Sequence, residues 1–418
     1  MTLKSRLREN IVSLYAVQGV NYLLPLLVVP YLVRVLGPER FGLIAFAQAF
    51  THYFIVLTDY GFNLSATRDI THCRDQQDEV VAIFSAVMIV KLGMLITCFF
   101  LMVLIVLTSA QFRTDWPIYF CSFLAVLGHV LLPAWFYQGM EQIKRLSIFN
   151  IIGKISATVG IFLLVKGPQD YLLTVVLQSS GVLLSGVLAL LGVTKLGIKN
   201  IVIPNSERVH YTIKNGWPIF LSTSATTLYT SSNTFLLGLF CGNTAVAYFS
   251  AAEKIIKASQ AMLTPVTQAI YPHVNLLMHK SSDSALFFIR KVLSRLTLAS
   301  LLMSVILWFF APHIVRILLG QPFINAIPVL RLMAFLPLVV ALSNIFGVQT
   351  MLVFGMQKQF SRILILAGFF NVSLIIPMVL AWEARGAALA VMITEIVVTC
   401  TMGVSLHHRG INLFSMKA

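Results

Sequence analysis

The sequence predicts an all-α polytopic membrane protein with 12 transmembrane helices in two pseudo-symmetric six-helix lobes around a central cavity. Three observations predict it. Of 418 residues, 58% are hydrophobic and 11% charged, against roughly 45–50% and 25% in an ordinary soluble domain. Apolar stretches of about 20 residues, the length that crosses a bilayer core, recur a dozen times. The two halves of the chain also resemble each other in order and punctuation.

Spans are expected near residues 11–33, 41–62, 80–108, 117–137, 147–166 and 171–193, and again near 215–239, 244–271, 292–319, 326–350, 361–382 and 386–406. Lys4, Arg6 and Arg8 precede an apolar stretch that runs to Val35 without a small-residue cleavage site. This start reads as a retained first helix and not as a signal peptide. Pro25 and Pro30 are expected to bend the first span, Pro218 the seventh and Pro265 the eighth. The longest inner loop, around Pro204, divides the chain into an N-terminal lobe at 1–194, a connector at 195–214 and a C-terminal lobe at 215–418.

Two alignments carry the repeat. Gly37 after the first span matches Gly242 after the seventh, 205 residues on. Gly139 before the fifth span matches Gly355 before the eleventh, 216 residues on. An even number of spans per half gives the repeats the same orientation, so their pseudo-twofold axis should run along the membrane normal. Two such lobes enclose a cleft open to one side at a time, the geometry of alternating access.

Orientation follows from the cations. With the N-terminus inside, nineteen Lys and Arg residues fall on the inner side, six on the outer side and five within spans. That split places both termini and the connector in the cytoplasm. It also accounts for the net charge of +15 without nucleic acid, for which no soluble basic domain is present.

Enzyme chemistry finds no support. There is no GxxxxGK[ST], HExxH or GxSxG, and no paired-carboxylate arrangement. The five cysteines are scattered without a CxxC, which argues against a disulfide framework or a zinc site. No catalytic residue, cofactor or metal is expected. Energy must come from an ion gradient or from the cargo's own gradient.

Charges inside spans mark the candidate site. In the eighth span Glu253 and Lys257 stand at i and i+4 and can pair, which leaves Lys254 to face water or an anionic cargo. Lys91 in the third span and Arg331 in the tenth are similar cases. Glu395, mid-span in the twelfth, is a candidate proton or sodium site, with Glu253 as the second acid. Neutral hydrogen-bonding groups cluster on the first span (Gln18, Asn21, Tyr22), the second (Gln48, His52) and the seventh (Thr223, Thr227, Thr230). Spans one, two, seven and eight are therefore the expected cavity wall. Cations among hydroxyls and amides suit a phosphate head on a hydroxyl-rich body, such as a lipid-linked sugar. A cationic drug would call for carboxylates, and the expected balance is five in-span cations against Glu253 and Glu395.

The stretches Gln18–Leu27, Pro30–Gly42 and Asp59–Thr67 resemble Wzx-type O-antigen flippases. Gln138-Gly139, Pro265–Pro272 and Gly347–Leu352 extend the similarity over nearly the whole chain. The resemblance implies the multidrug/oligosaccharidyl-lipid/polysaccharide exporter superfamily and a cationic central cavity. It implies a cargo of undecaprenyl-pyrophosphate-linked O-antigen repeat units, moved from the inner to the outer leaflet of the bacterial inner membrane. An O-antigen polymerase and a chain-length regulator are the implied protein partners. In related lipid II flippases, arginines on the second and eighth spans face the pyrophosphate. Here Lys254 lies near the eighth-span position, while Gln48 or His52 occupies the second-span region. The alternatives are a drug/cation antiporter of the same superfamily and a membrane polymerase or glycosyltransferase. A polymerase would be expected to show a large outer loop.

Overall fold

A computed structural model describes residues 3–198 and 202–413, with side chains described at Leu24 and from Leu27 onward apart from 222, 225, 226, 228–230 and 279. All regular structure among the described residues is helical. The longer helices of the first half are α1 (Leu3–Asp59), α2 (Phe62–Cys73), α3 (Gln77–Thr108), α4 (Ala110–Thr114), α5 (Trp116–Leu131), α6 (Ala134–Gly139), α7 (Ile143–Leu164) and α8 (Tyr171–Thr194). Those of the second are α9 (Ser206–Cys241), α10 (Asn243–Ala261), α11 (Thr264–Lys280), α12 (Ser282–Ile314), α13 (Ala326–Met333), α14 (Leu336–Asn344) and α15 (Gln357–His408). Two π-helical segments, Val315–Leu319 and Ile345–Leu352, extend α12 and α14.

Eight helical stretches among the described residues are long and apolar enough to cross a membrane. Their outer surfaces confirm the solvent they face: Ile96, Phe100, Leu104 and Leu107 of α3 are exposed, which water would penalise and hydrocarbon does not. The expected seventh and eighth spans coincide with α9 and with α10 and α11. Two of the eight stretches exceed a single crossing and are broken internally. Leu27–Cys73 contains the non-helical Gly37, and Gln357–His408 contains the non-helical Glu383. A straight α15 would hold Asn371 and Thr394 about 35 Å apart at about 1.5 Å per residue. Instead the Asn371 amide donates to the Thr394 hydroxyl at 3.0 Å, so α15 folds back on itself as a hairpin.

The repeat is written in the backbone. Gly37 (φ 72, ψ 174) and Gly242 (φ 82, ψ 178) share one left-handed conformation at the 205-residue offset read from sequence. Nothing lies within 4 Å of a Cβ built at either, so glycine serves the dihedral and not a tight contact. At the second junction, Met140, Glu141 and Gln142 donate to the carbonyls of Phe136, Gln138 and Tyr137, and Phe354, Gly355 and Met356 donate to those of Thr350, Leu352 and Met351. The patterns superpose at 214 residues, two fewer than the glycine letters suggested. Glu141 (φ 56), not Gly139, is the counterpart of Gly355 (φ 76).

The helices assemble into two compact units, residues 43–227 and residues 1–42 with 228–418. In the first, an apolar core gathers Ile70, Phe84, Trp135, Phe136, Tyr137 and Val193, and the Tyr137 hydroxyl donates to the Ala189 carbonyl at 2.6 Å. The start of α9 belongs here, with Phe220 stacked on Tyr60 at 4.9 Å. In the second, the equivalent core is built from Val274, Ile289, Phe346, Met351, Ile363 and Met402. The segment ending at Gly42 belongs to this unit: Phe41 packs edge-on against Phe323, and a Cβ at Gly42 would run into the Asn243 carbonyl.

Candidate functional site

In the unit of residues 1–42 and 228–418, the charges of α10 sit as the i, i+4 spacing predicts. Lys257 Nζ lies 2.8 Å from Glu253 Oε1. Lys254, one residue off that stripe, places its ammonium 4.9 Å from the centroid of the Phe41 ring, and an aromatic face stabilises a cation where water is scarce. Lys254 is half-buried and lacks a carboxylate partner among the described residues.

Two cavities flank the pair. One, of about 190 Å³, is lined by Asn233, Glu253, Lys257, Gln260, Asn371, Thr394 and Glu395 among apolar neighbours. The Glu395 carboxylate accepts no hydrogen bond and forms no ion pair among the described residues, although its backbone carbonyl receives the Thr399 hydroxyl at 2.8 Å. The Oδ1 of the buried Asn371 is likewise unsatisfied. The other cavity, of about 320 Å³, is lined by Lys257, Gln260, Thr264, Thr267 and Asn344 together with Pro337 and aliphatic side chains.

The unit of residues 43–227 holds a different arrangement. Lys91 is 1% exposed, and its Nζ lies 2.8 Å from Asp59 Oδ1. Asp59 also accepts from the Asn63 amide at 3.4 Å, and His129 stands within electrostatic reach of Asp59, Lys91 and His52. The expected count of two in-span acids omits Asp59. Its position at the end of α1, thirty-two residues from Lys91, hides the pairing from any local pattern. Nearby, a cavity of about 230 Å³ is lined by Gln48, Thr51, His52, Ser122, Gln178 and Ser179 with aliphatic neighbours. The Gln48 amide donates to Gln178 Oε1 at 2.6 Å across it.

The remaining expected residues scatter. Arg331 is exposed and lies over the Trp308 ring at 5.5 Å. Thr223 is exposed and Thr227 buried. The side chains of Gln18, Asn21, Tyr22 and Thr230 lie outside the described residues. Gln260, Asn344, Asn371 and Gln178 escaped the sequence reading. For Gln178, Asn344 and Asn371 the signal is an amide in a largely apolar span, and for Gln260 it is a place three residues after Lys257 on a charged helix; hydrogen bonding between helices explains such amides as readily as a cavity.

A bundle of membrane-crossing helices that turns ion pairs, amides and hydroxyls into internal cavities defines a membrane transporter. Solved structures agree on the fold. The chain matches the lipid II flippase MurJ in an inward closed conformation with a TM-score of 0.77 at 13% identity, over 95% of this chain and 87% of that one. It matches an inward-facing multidrug resistance MATE family transporter of the MOP superfamily with a TM-score of 0.69 at 16% identity, over 94% and 96% of the chains. Residues 7–278 match the family described as polysaccharide biosynthesis protein, and the chain belongs to that family. A relative from Escherichia coli (strain K12) named "Putative O-antigen transporter" is 36% identical over 96% of this chain and 97% of its own length. A relative of the same name from Shigella dysenteriae is 30% identical over 95% and 99%. The resemblance to O-antigen flippases is thereby borne out at full length, and these relatives carry the name of transporters and not of catalysts.

Proposed function

We propose that this protein flips undecaprenyl-pyrophosphate-linked O-antigen repeat units from the cytoplasmic to the periplasmic leaflet of the bacterial inner membrane by alternating access. The observation that carries the reading is full-length similarity to relatives named O-antigen transporters, joined to a flippase-like fold. In this reading twelve spans form lobes at 1–194 and 215–418 joined by a connector at 195–214, and both termini are cytoplasmic. Lys254 and Lys257 serve the diphosphate, with Gln48, His52 and the threonines of α9 toward the sugars. Gln18, Asn21 and Tyr22 complete the wall. Lys91 acts through its pair with Asp59, and Arg331 stands at the rim.

Cycling without a nucleotide site needs a ligand with different affinity for the two conformations. Glu395 supplies it by exchanging a proton or a sodium ion, with Glu253 beside it. The unpaired carboxylate and the unsatisfied Asn371 Oδ1 support this assignment. An O-antigen polymerase and a chain-length regulator are the proposed protein partners. The same acidic cavity favours a second reading, a drug/cation antiporter.

A null strain decides between them. Accumulation of diphosphate-linked repeat units on the cytoplasmic leaflet, reversed by the plasmid-borne protein, is the expected result. Normal surface polysaccharide with altered drug sensitivity would transfer the assignment to the antiporter.

A further inference from the structure

Each unit gathers helix ends around an apolar core, and the surroundings of the two cores differ in charge. Residues 66–90, 135–147 and 189–213, which carry most of the core around Trp135 and Val193, hold seven Lys and Arg against six acids. Three of these cations are paired: Arg68 with Asp69 at 3.5 Å, Arg74 with Glu141 at 2.7 Å and Arg208 with Glu79 at 2.7 Å. Residues 274–298, 351–363 and 402–413, which carry most of the core around Val274 and Met402, hold seven cations against a single acid, Asp283. Among the described residues Arg290 donates to the Asn412 carbonyl at 2.6 Å, and Lys291 and Arg295 are exposed and have no partner.

Those two cations lie on the lipid-facing side of α12. Lys291 and Arg295 stand at i and i+4, and their stripe continues through the exposed Leu298, Leu302 and Phe309. Ile289, Leu293, Leu296 and Ser300 turn the other way, into the unit. From Arg295 to the exposed Arg316, just past the far end of α12, the helix advances about 30 Å, the thickness of a bilayer's hydrocarbon core. Arg295 therefore stands where acyl chains give way to headgroups, and Lys291 about 6 Å farther out. Asp283 is on the same side but about 12 Å beyond Lys291 along the axis, too far to pair with it. The matched place on α3 is built differently. Both helices start alike, with the Val80 N–H donating to the Gln76 carbonyl and the Ala285 N–H to the Ser281 carbonyl, again 205 residues apart. That register sets Ala86 and Val90 against Lys291 and Arg295, and both are buried. The Val202 N–H donates to Ser85 Oγ there at 3.0 Å, so the chain after α8 covers a side of α3 that on α12 is open among the described residues.

We propose that Lys291 and Arg295 bind the phosphate headgroup of an anionic bilayer phospholipid on the outer side of α12, at a site with no equivalent on α3. Unneutralised cations complement that charge, and an acidic protein approaching from water would not need them in line with hydrocarbon-facing leucines. Only the assignment to the cytoplasmic leaflet rests on the proposed orientation.

The test is native mass spectrometry of the full-length protein titrated with phosphatidylglycerol, phosphatidylcholine and undecaprenyl phosphate. Wild type is expected to bind phosphatidylglycerol about thirtyfold tighter than phosphatidylcholine, the scale of two cations at a membrane surface. Lys291→Gln alone should lose about fivefold of that preference, and Lys291→Gln with Arg295→Gln should bring the two lipids level. Lys280→Gln with Lys358→Gln removes the same charge from exposed positions on other helices and should keep the preference. Thermal unfolding in phosphatidylcholine nanodiscs should be the same in all these proteins. Equal binding of both lipids by wild type, or an equal loss in the control variant, overturns the inference. Tighter binding of undecaprenyl phosphate than of phosphatidylglycerol through these two residues would give them to the cargo and overturn it as well. So would a preference that emerges only when residues 414–418 are removed, because the face would then belong to the chain's own tail.

Discussion

Two lysine–carboxylate pairs in this protein share one distance and differ in everything else. Lys91–Asp59 and Lys257–Glu253 both close at 2.8 Å, yet Lys91 is 1% exposed and Lys257 60%. The first spans thirty-two residues and ties the end of α1 to α3. The second is a local i, i+4 contact on α10. Burial decides what each can do: a charge sealed in low dielectric cannot leave its partner, whereas a half-hydrated one exchanges partners at little cost. The first pair is a fastener, and the second is a local contact that holds its helix only weakly.

The largest effect should come from breaking the fastener. Lys91→Met leaves Asp59 without its ammonium and is expected to cost about 3–5 kcal/mol, seen as loss of protein from the membrane or a steep fall in thermal unfolding temperature. Asp59→Leu combined with Lys91→Met should recover most of it. Wild-type stability in the single variant would erase the contrast between the two pairs.

Lys254→Ala should lower complementation of surface polysaccharide on the order of tenfold, about 1.4 kcal/mol, at equal protein level. Lys280→Ala, at an exposed position at the end of α11, should be neutral. Equal activity of the two variants would remove Lys254 from the site. Glu395→Gln should leave protein level and cargo binding intact and abolish the dependence of transport on an imposed pH or sodium gradient in reconstituted vesicles. Retained gradient dependence would place the coupling elsewhere. The smallest change is expected in the stability of Lys257→Met, under about 0.5 kcal/mol for an exposed i, i+4 pair. A loss of several kcal/mol there, read from thermal unfolding, would show that this pair too is a fastener.

The features legible in the sequence are those set by local chemistry. Composition gives the helices and their solvent, and the i, i+4 rule gives Glu253–Lys257. Glycine's access to left-handed backbone gives the paired junctions at Gly37 and Gly242. What stayed hidden depends on contacts between distant helices. Asp59 lies at a helix end and carries no periodic mark of its partner Lys91. Asn371 and Thr394 meet only because α15 doubles back at Glu383, a residue type that gives no warning of a reversal. The second junction misaligned by two residues because Glu141 adopts the dihedral that Gly355 adopts in the other half. A letter match to Gly139 points to the wrong atom.

The π-helical segment Ile345–Leu352 has a consequence for phase. The Thr350 hydroxyl donates to the Ile345 carbonyl five residues back, at 2.8 Å. The additional residue accommodated in such a turn rotates everything after it by about 100° relative to an uninterrupted helix. That offset sets the azimuth at which Gln349 meets Thr267 and Met351 enters the apolar core. The eight residues act as a gear tooth: removing one would re-index the helix end against its neighbours, while most substitutions within it would leave the indexing untouched.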